Sequence, residues 1–182
     1  MAVPPNRRSA KEAPTKAPTL EPPWLSFAAG ALLVLAGLAT YLNSFAGPFI
    51  FDDELWITKN PSIRQLWPIG SVLWPPSGAI YCGRPVLNLS LAVNYAWGGT
   101  GVGGYHAFNL AVHLVAGLAL FGIVHRTLLL SRNEIWRAQA ARLAFFAALL
   151  WLVHPLQTES VTYVIQRAEA LMGMFYLLTL YG

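Results

Sequence analysis

Charged side chains are scarce in this sequence. Lys and Arg number 12 and Asp and Glu 8, together 11% of 182 residues, where a soluble domain usually carries about 25%. So few charges cannot build a surface that faces water, and 55% of the residues are hydrophobic, which argues against a soluble globular domain. The formal net charge of +4 does not point to nucleic acid. The basic residues are spread over a tail and loops, with no basic stripe interleaved with aromatics. Cys82 is the one cysteine, so an intrachain disulfide and a cysteine-based metal cluster are both excluded. A small, partly buried side chain is expected there.

What the sequence does have is long apolar runs. Residues 1–23 are rich in Pro among Arg, Lys, Ala and Thr, a composition that cannot bury enough apolar surface to fold, so a disordered tail is expected. From Trp24 to Leu42 about nineteen residues pass without a charge, long enough to cross a hydrocarbon core. This length exceeds the apolar region of a cleavable signal peptide, and Ser44-Phe-Ala46 is a weak cleavage site, so an uncleaved signal anchor is favoured. Further spans are expected at about 105–125 and 138–156, the latter with Arg142 snorkelling to the interface. A fourth, over 160–182, is complete only if its helix starts near Ser160 and draws Arg167 and Glu169 inward. The alternative is that the chain continues past Gly182, and a truncated copy, inactive alone, is expected. The fold class that follows is an all-α membrane protein of three to four spans.

Orientation follows from the positive charges. Arg7, Arg8, Lys11 and Lys16 precede the first span, and Arg126, Arg132, Arg137 and Arg142 lie between the second and third. The long loop 43–104 holds Lys59, Arg64 and Arg84. The positive-inside rule puts the tail and the Arg-rich connection in the cytoplasm. The loop 43–104 and the segment His154 to Arg167 then share the outer side. Within the loop, Arg84-Pro85 before Val86–Trp97 and Gly98-Gly99 after it mark the edges of a helix. Asn88, Asn94, Tyr95 and Trp97 suggest that this helix lies at the membrane interface. Asn88-Leu-Ser90 matches a glycosylation acceptor, and on such a helix the match is taken as chance.

Candidate chemistry sits in the outer segments. Asp52-Asp53-Glu54, set among aromatics, puts three carboxylates where repulsion and desolvation raise a pKa, as a general base requires. The plain alternative is a polar turn that ends the first span. A glycosidase pair is disfavoured, since adjacent carboxylates cannot flank opposite faces of one sugar. Three acids would also suit a divalent cation, but no second cluster supplies further ligands. In the other segment Glu159, Tyr163 and Gln166 fall at i, i+4 and i+7 of a helix with Arg167 beside them, a polar stripe facing the bundle. A Glu–Arg structural pair is the alternative. On the second span His106, Asn109 and His113 share a face at a spacing that suits interhelical hydrogen bonds better than a metal.

Four phrases in order carry a family resemblance: NSFAGPFIFDDELWITKNPSIRQL, RPVLNLSLAVNYAWGG, GYHAFNLAVHLVAGL and HPLQTESVTYVIQRAEALMGMFYLL. From about residue 41 onward the chain resembles the N-terminal membrane region of transmembrane and tetratricopeptide repeat-containing proteins. These belong to the C-type glycosyltransferase superfamily, among the protein O-mannosyltransferases. The resemblance implies a C-type glycosyltransferase-like helical bundle that transfers a sugar from a polyprenyl-phosphate donor to protein Ser/Thr hydroxyls on the outer face. It implies that Asp52 and Asp53 act on the acceptor, with Asp52 as the base. Arg84 or Arg167 would then stabilise the leaving phosphate, and Arg84, Glu159, Arg167 and Glu169 are the candidates for substrate binding. The expected partners are membrane lipid, a lipid-linked sugar and an acceptor protein. No cofactor is assigned beyond the polyprenyl-phosphate sugar donor, a divalent cation being an open but unsupported alternative, and a bacterial inner membrane with a periplasmic active loop is favoured. The family's later spans and its helical repeats of about 34 residues are absent from this sequence. A non-enzymatic anchor for a repeat scaffold is the competing class, and a transporter a third.

Overall fold

The computed structural model describes residues 21–76 and 82–182, and every described element is helical or irregular. The tail expected over residues 1–23 lies almost wholly outside them. The first span forms α1, Trp24–Tyr41, and a 3-10 turn over Leu42–Ala46 ends it. The loop 43–104, called outer after the side expected for it, then winds through a π-turn at Glu54–Thr58, a 3-10 turn at Pro61–Ile63, α2 over Ile69–Leu73 and α3 over Pro85–Gly98. Pro at its first position and Gly99 just past its end (φ 57°) bound α3, as the sequence implies. The chain returns through α4, Val102–Leu129. A short α5, Glu134–Ala138, leads into α6, Ala140–Leu152. Beyond it come a 3-10 turn at Pro155–Gln157, α7 at Thr158–Thr162, a second turn at Val164–Gln166 and α8, Arg167–Tyr181.

Among the described residues two helical segments are long and apolar enough to cross a membrane, Trp24–Ala46 and Val102–Leu129. A third span results if Ala140–Leu152 and Pro155–Thr162, bent by 54°, count as one. The expected third span over 138–156 is thus a thirteen-residue helix stopped before Pro155, because the residue preceding a proline is pushed out of the helical region. The span expected from residue 160 is not continuous either. Tyr163 is extended (φ −93°, ψ 113°), inside the run Val161-Thr162-Tyr163-Val164-Ile165 whose β-branched side chains resist a helical turn.

α4 is the hub, packed against α1, α6 and α8. Small residues let the backbones approach: a Cβ on Gly37 would lie 2.5 Å from Leu114 and one on Gly117 2.8 Å from Leu152. The carbonyl of Leu152, orphaned where α6 ends, accepts from His113 Nε2 at 2.9 Å and from Tyr41 Oη at 3.2 Å. One helix end therefore ties α1, α4 and α6 together. At the opposite end of α6, Glu21 Oε2 accepts from the Ala141 amide at 2.7 Å, and its other oxygen pairs with Arg142 Nε at 3.1 Å. Arg142 thus has a partner as well as a route to the interface. Cys82 is exposed rather than partly buried.

Candidate functional site

The site is built where the outer loop meets the segment after α6. A core of Trp56, Ile57, Ile63, Val72, Leu91 and Tyr105, closed by Val164 and Ile165, joins the two. Beneath it Asn60 and Asn88, both fully buried, hold the loop. Asn60 Nδ2 donates to Asn88 Oδ1 at 3.0 Å, and Asn88 Nδ2 donates to the Val72 carbonyl at 2.6 Å. Asn88 is therefore a structural residue facing inward, out of reach of a glycosylating enzyme. Asn94 is also buried, its Nδ2 on the Gly104 carbonyl at 3.1 Å. The polar side chains of α3 point into the protein, and it is Val86 and Trp97 that are exposed. This reverses the orientation that an interfacial helix with outward asparagines would have.

The three adjacent acids have three different environments. Asp53 is 1% exposed. Its Oδ2 accepts from the Ile50 amide at 3.1 Å and its Oδ1 from the Ile165 amide at 2.9 Å. Burial pushes its carboxyl above the usual carboxylate range, opposed by those amides and by His106. Glu54 turns away and pairs with Lys59 at 3.2 Å, both side chains largely in solvent. Asp52 keeps its carboxylate exposed. The three do not converge, and among the described residues no group of three His, Cys, Asp or Glu side chains is placed to hold a metal ion.

The turn that presents Asp52 is strained. Phe51 adopts a left-handed φ of 48°, uncommon for a bulky residue and the kind of conformation that clusters at functional sites. Its ring stands 83% exposed, edge-on to Tyr163 with 6.2 Å between centroids. The Asp52 amide donates to Tyr163 Oη at 3.2 Å. Partial burial, and behind it the carboxylates of Asp52, Asp53 and Glu159, push the Tyr163 phenol above its ordinary pKa. That phenol stays protonated at neutral pH and retains a hydrogen to donate beside Asp52.

The remaining predicted residues are placed apart. Arg167 is fully buried. It donates from Nε to Asn109 Oδ1 at 2.7 Å, from Nη2 to the Tyr105 carbonyl at 3.1 Å and from Nη1 to Ser90 Oγ at 3.3 Å. Its guanidinium lies 4.3 Å from the Phe108 ring centroid. Among the described residues no carboxylate pairs with it, so the alternative of a Glu–Arg structural pair does not form. Glu159 is exposed and accepts from Gln166 Nε2 at 3.2 Å, across the break at Tyr163 rather than along one helix. Arg84 is exposed, 5.4 Å from the Trp56 ring. Arg84 and Glu169 line one groove of about 360 Å³ between the start of α3 and α8, whose apolar walls include Val86, Met172 and Phe175. His106, Asn109 and His113 all make contacts between segments.

Sequence reasoning missed how these residues are joined. The interhelical hydrogen bonds expected of Asn109 do form, but their partners, Arg167 and the Val164 carbonyl at 3.2 Å, were not foreseen. The signal that existed was Asn60-Pro61-Ser62, a turn in which an Asn side chain bonds the backbone two residues on. The Asn60 Oδ1 to Ser62 amide bond, at 2.9 Å, is that turn.

No family model matches the chain, and no solved structure matches it. Known proteins do. A protein O-mannosyl-transferase of Caenorhabditis elegans is 30% identical over 157 residues, 82% of this chain and 22% of that protein. Protein O-mannosyl-transferase Tmtc1 of Drosophila melanogaster is 34% identical over 160 residues, covering 79% and 18%. The human protein O-mannosyl-transferase TMTC4 is 29% identical over 178 residues, covering 90% and 23%. The chain spans about a fifth of the length of these relatives. Over most of its own length it is a homologue of proteins of this name, in agreement with the resemblance carried by its four motifs.

Proposed function

We propose that this chain is the acceptor-activating part of a membrane glycosyltransferase that moves a sugar from a polyprenyl-phosphate donor to Ser/Thr hydroxyls of proteins. The relatives' names suggest mannose as the sugar. Asp52 acts as the general base. It takes the proton of the acceptor hydroxyl while that oxygen bonds to the sugar's anomeric carbon. The bond from that carbon to the phosphate oxygen breaks on the opposite face, and the lipid phosphate leaves with the electron pair, so the configuration inverts.

One observation carries this reading. Of two adjacent carboxylates, Asp53 is committed to the amides of Ile50 and Ile165, while Asp52 is left exposed on a strained turn that Tyr163 steadies. Asp53 is then a positioning residue that locks the acidic loop to the second outer segment. Arg84 is the better candidate for the leaving phosphate, because it is exposed beside an apolar groove that suits a lipid and can offer a fork of donors. Arg167, buried among neutral acceptors, braces the site from below. Positive charge on the tail and on the α4–α6 connection supports an orientation with this site on the outer side.

The test is transfer by the full-length protein from a polyprenyl-phosphate mannose to a Ser/Thr peptide. Asp52→Asn is expected to abolish transfer and leave membrane insertion and folding intact. Full activity in that variant would sink the base assignment and favour a non-enzymatic anchor.

A further inference from the structure

Between α4 and α6 the chain leaves apolar side chains uncovered where charge is concentrated. Leu130 is 85% exposed, Ile135 62% and Trp136 53%. Residues 126–142 contain Arg126, Arg132, Arg137 and Arg142 against one acid, Glu134. Arg142 is paired with Glu21, while Arg132 and Arg137 are exposed. The local fold is well formed: Asn133 Oδ1 accepts from the amides of Ile135 and Trp136 at 2.9 and 3.3 Å, and this cap starts α5.

We infer that this connection docks into the headgroup layer of an anionic membrane leaflet, with Leu130, Ile135 and Trp136 in the upper acyl region and Arg132 and Arg137 on lipid phosphates. Three observations converge on that occupant. The connection joins two apolar helices, so it sits at the membrane boundary whichever way the protein faces. α4 has 28 residues, about 42 Å at 1.5 Å per residue, against roughly 30 Å of hydrocarbon. With its first turns built into the outer layer through Tyr105 and Asn109, the last turn of α4 falls at the opposite edge of the hydrocarbon, where Leu129 and Leu130 either stand bare in water or lie on the headgroups with the connection. The composition decides between these: arginines beside an exposed Trp and aliphatic residues fit an interface that is apolar beneath and negative above.

The test uses the full chain in lipid nanodiscs with Cys82→Ser, so that a cysteine placed by Ile135→Cys is the one thiol to carry a bimane label. Trace spin-labelled phosphatidylglycerol or phosphatidylcholine is added to a mixed bilayer and quenching is compared. The label is expected to be blue-shifted and quenched by both lipids, more strongly by phosphatidylglycerol. Each of Arg132→Gln and Arg137→Gln should lower that preference roughly fivefold. A label quenched by aqueous iodide and untouched by spin-labelled lipid overturns the proposal and points to a protein partner. Equal quenching by the two lipids, indifferent to the arginine changes, overturns it as well, since charge complementarity would be gone.

Discussion

In the helical bundle α1, α4 and α6 meet chiefly through Ala29, Leu33, Phe121, Ala144, Ala148 and Leu152, side chains without polar atoms, with the polar tie of His113 and Tyr41 confined to the end of α6. The outer layer is held the other way. There Asp53, Asn60, Asn88, Asn109 and Arg167 are all buried, and each spends its polar atoms on backbone or on another side chain. The difference follows from what each layer must satisfy. A spanning helix closes its own backbone hydrogen bonds, so its neighbours need only fit. A loop of short turns leaves amides and carbonyls open, and side chains must reach in to meet them. The bundle should therefore tolerate exchanges that keep volume and resist added volume, and the outer layer should do the reverse.

The largest expected effect separates activity from stability within the outer layer. Asp52→Asn should lower transfer by about 10²- to 10⁴-fold, the usual worth of a general base, with no change in unfolding temperature. Asp53→Asn should lower both, because it puts an amide donor against backbone amides. If the two variants behaved alike, the division of labour between them would be wrong. Next comes Arg167→Leu, which keeps bulk but leaves Asn109 Oδ1 buried without its guanidinium donor. A loss of about 3 kcal/mol is expected, read by unfolding in mixed detergent micelles. The bundle exchange Leu33→Met should cost less than about 1.5 kcal/mol in the same assay.

In the opposite direction, Gly37→Ala should destabilise the bundle by about 1–2 kcal/mol, since the new methyl meets Leu114. The exposed Gly98, whose Cβ would meet nothing within 4 Å, should accept Ala at no cost. Tyr163→Phe should cost about 1 kcal/mol through the bond from the Asp52 amide, and its effect on transfer should exceed its effect on unfolding.

The smallest effect is a pH slope. The Asp53 carboxyl sits above its ordinary value of 3.8 when folded, so folding favours the neutral form. Its contribution is fully present below 3.8 and is lost as the pH rises through the raised folded value. Stability should fall with rising pH across that window, and Asp53→Asn should flatten the slope. A slope of opposite sign would mean that the amides of Ile50 and Ile165 outweigh burial.

The membrane class, the first two spans and the limits of α3 were legible because apolar run length and Pro/Gly placement are local signals. The fourth span, expected over 160–182 with a helix starting near Ser160, is broken at Tyr163, and that break depends on where Val164 and Ile165 must point to close the core. The acidic turn was found as a motif, but the motif treats its three carboxylates as equivalents.

Sequence by itself determined that this chain enters a membrane, where its first two spans and α3 lie, and that loop 43–104 carries the acidic run Asp52-Asp53-Glu54, since these rest on composition and on neighbours along the chain. Tertiary structure decided which acid is free. Asp53 is spent because residues 112 positions away in sequence bring an open amide, that of Ile165, to its carboxylate. Arg167 is withdrawn from solvent because Asn109, Ser90 and Tyr105 converge around it. Such pairings have no local signature: they exist only once long-range packing sets which polar groups must be satisfied inside the protein and which remain outside it.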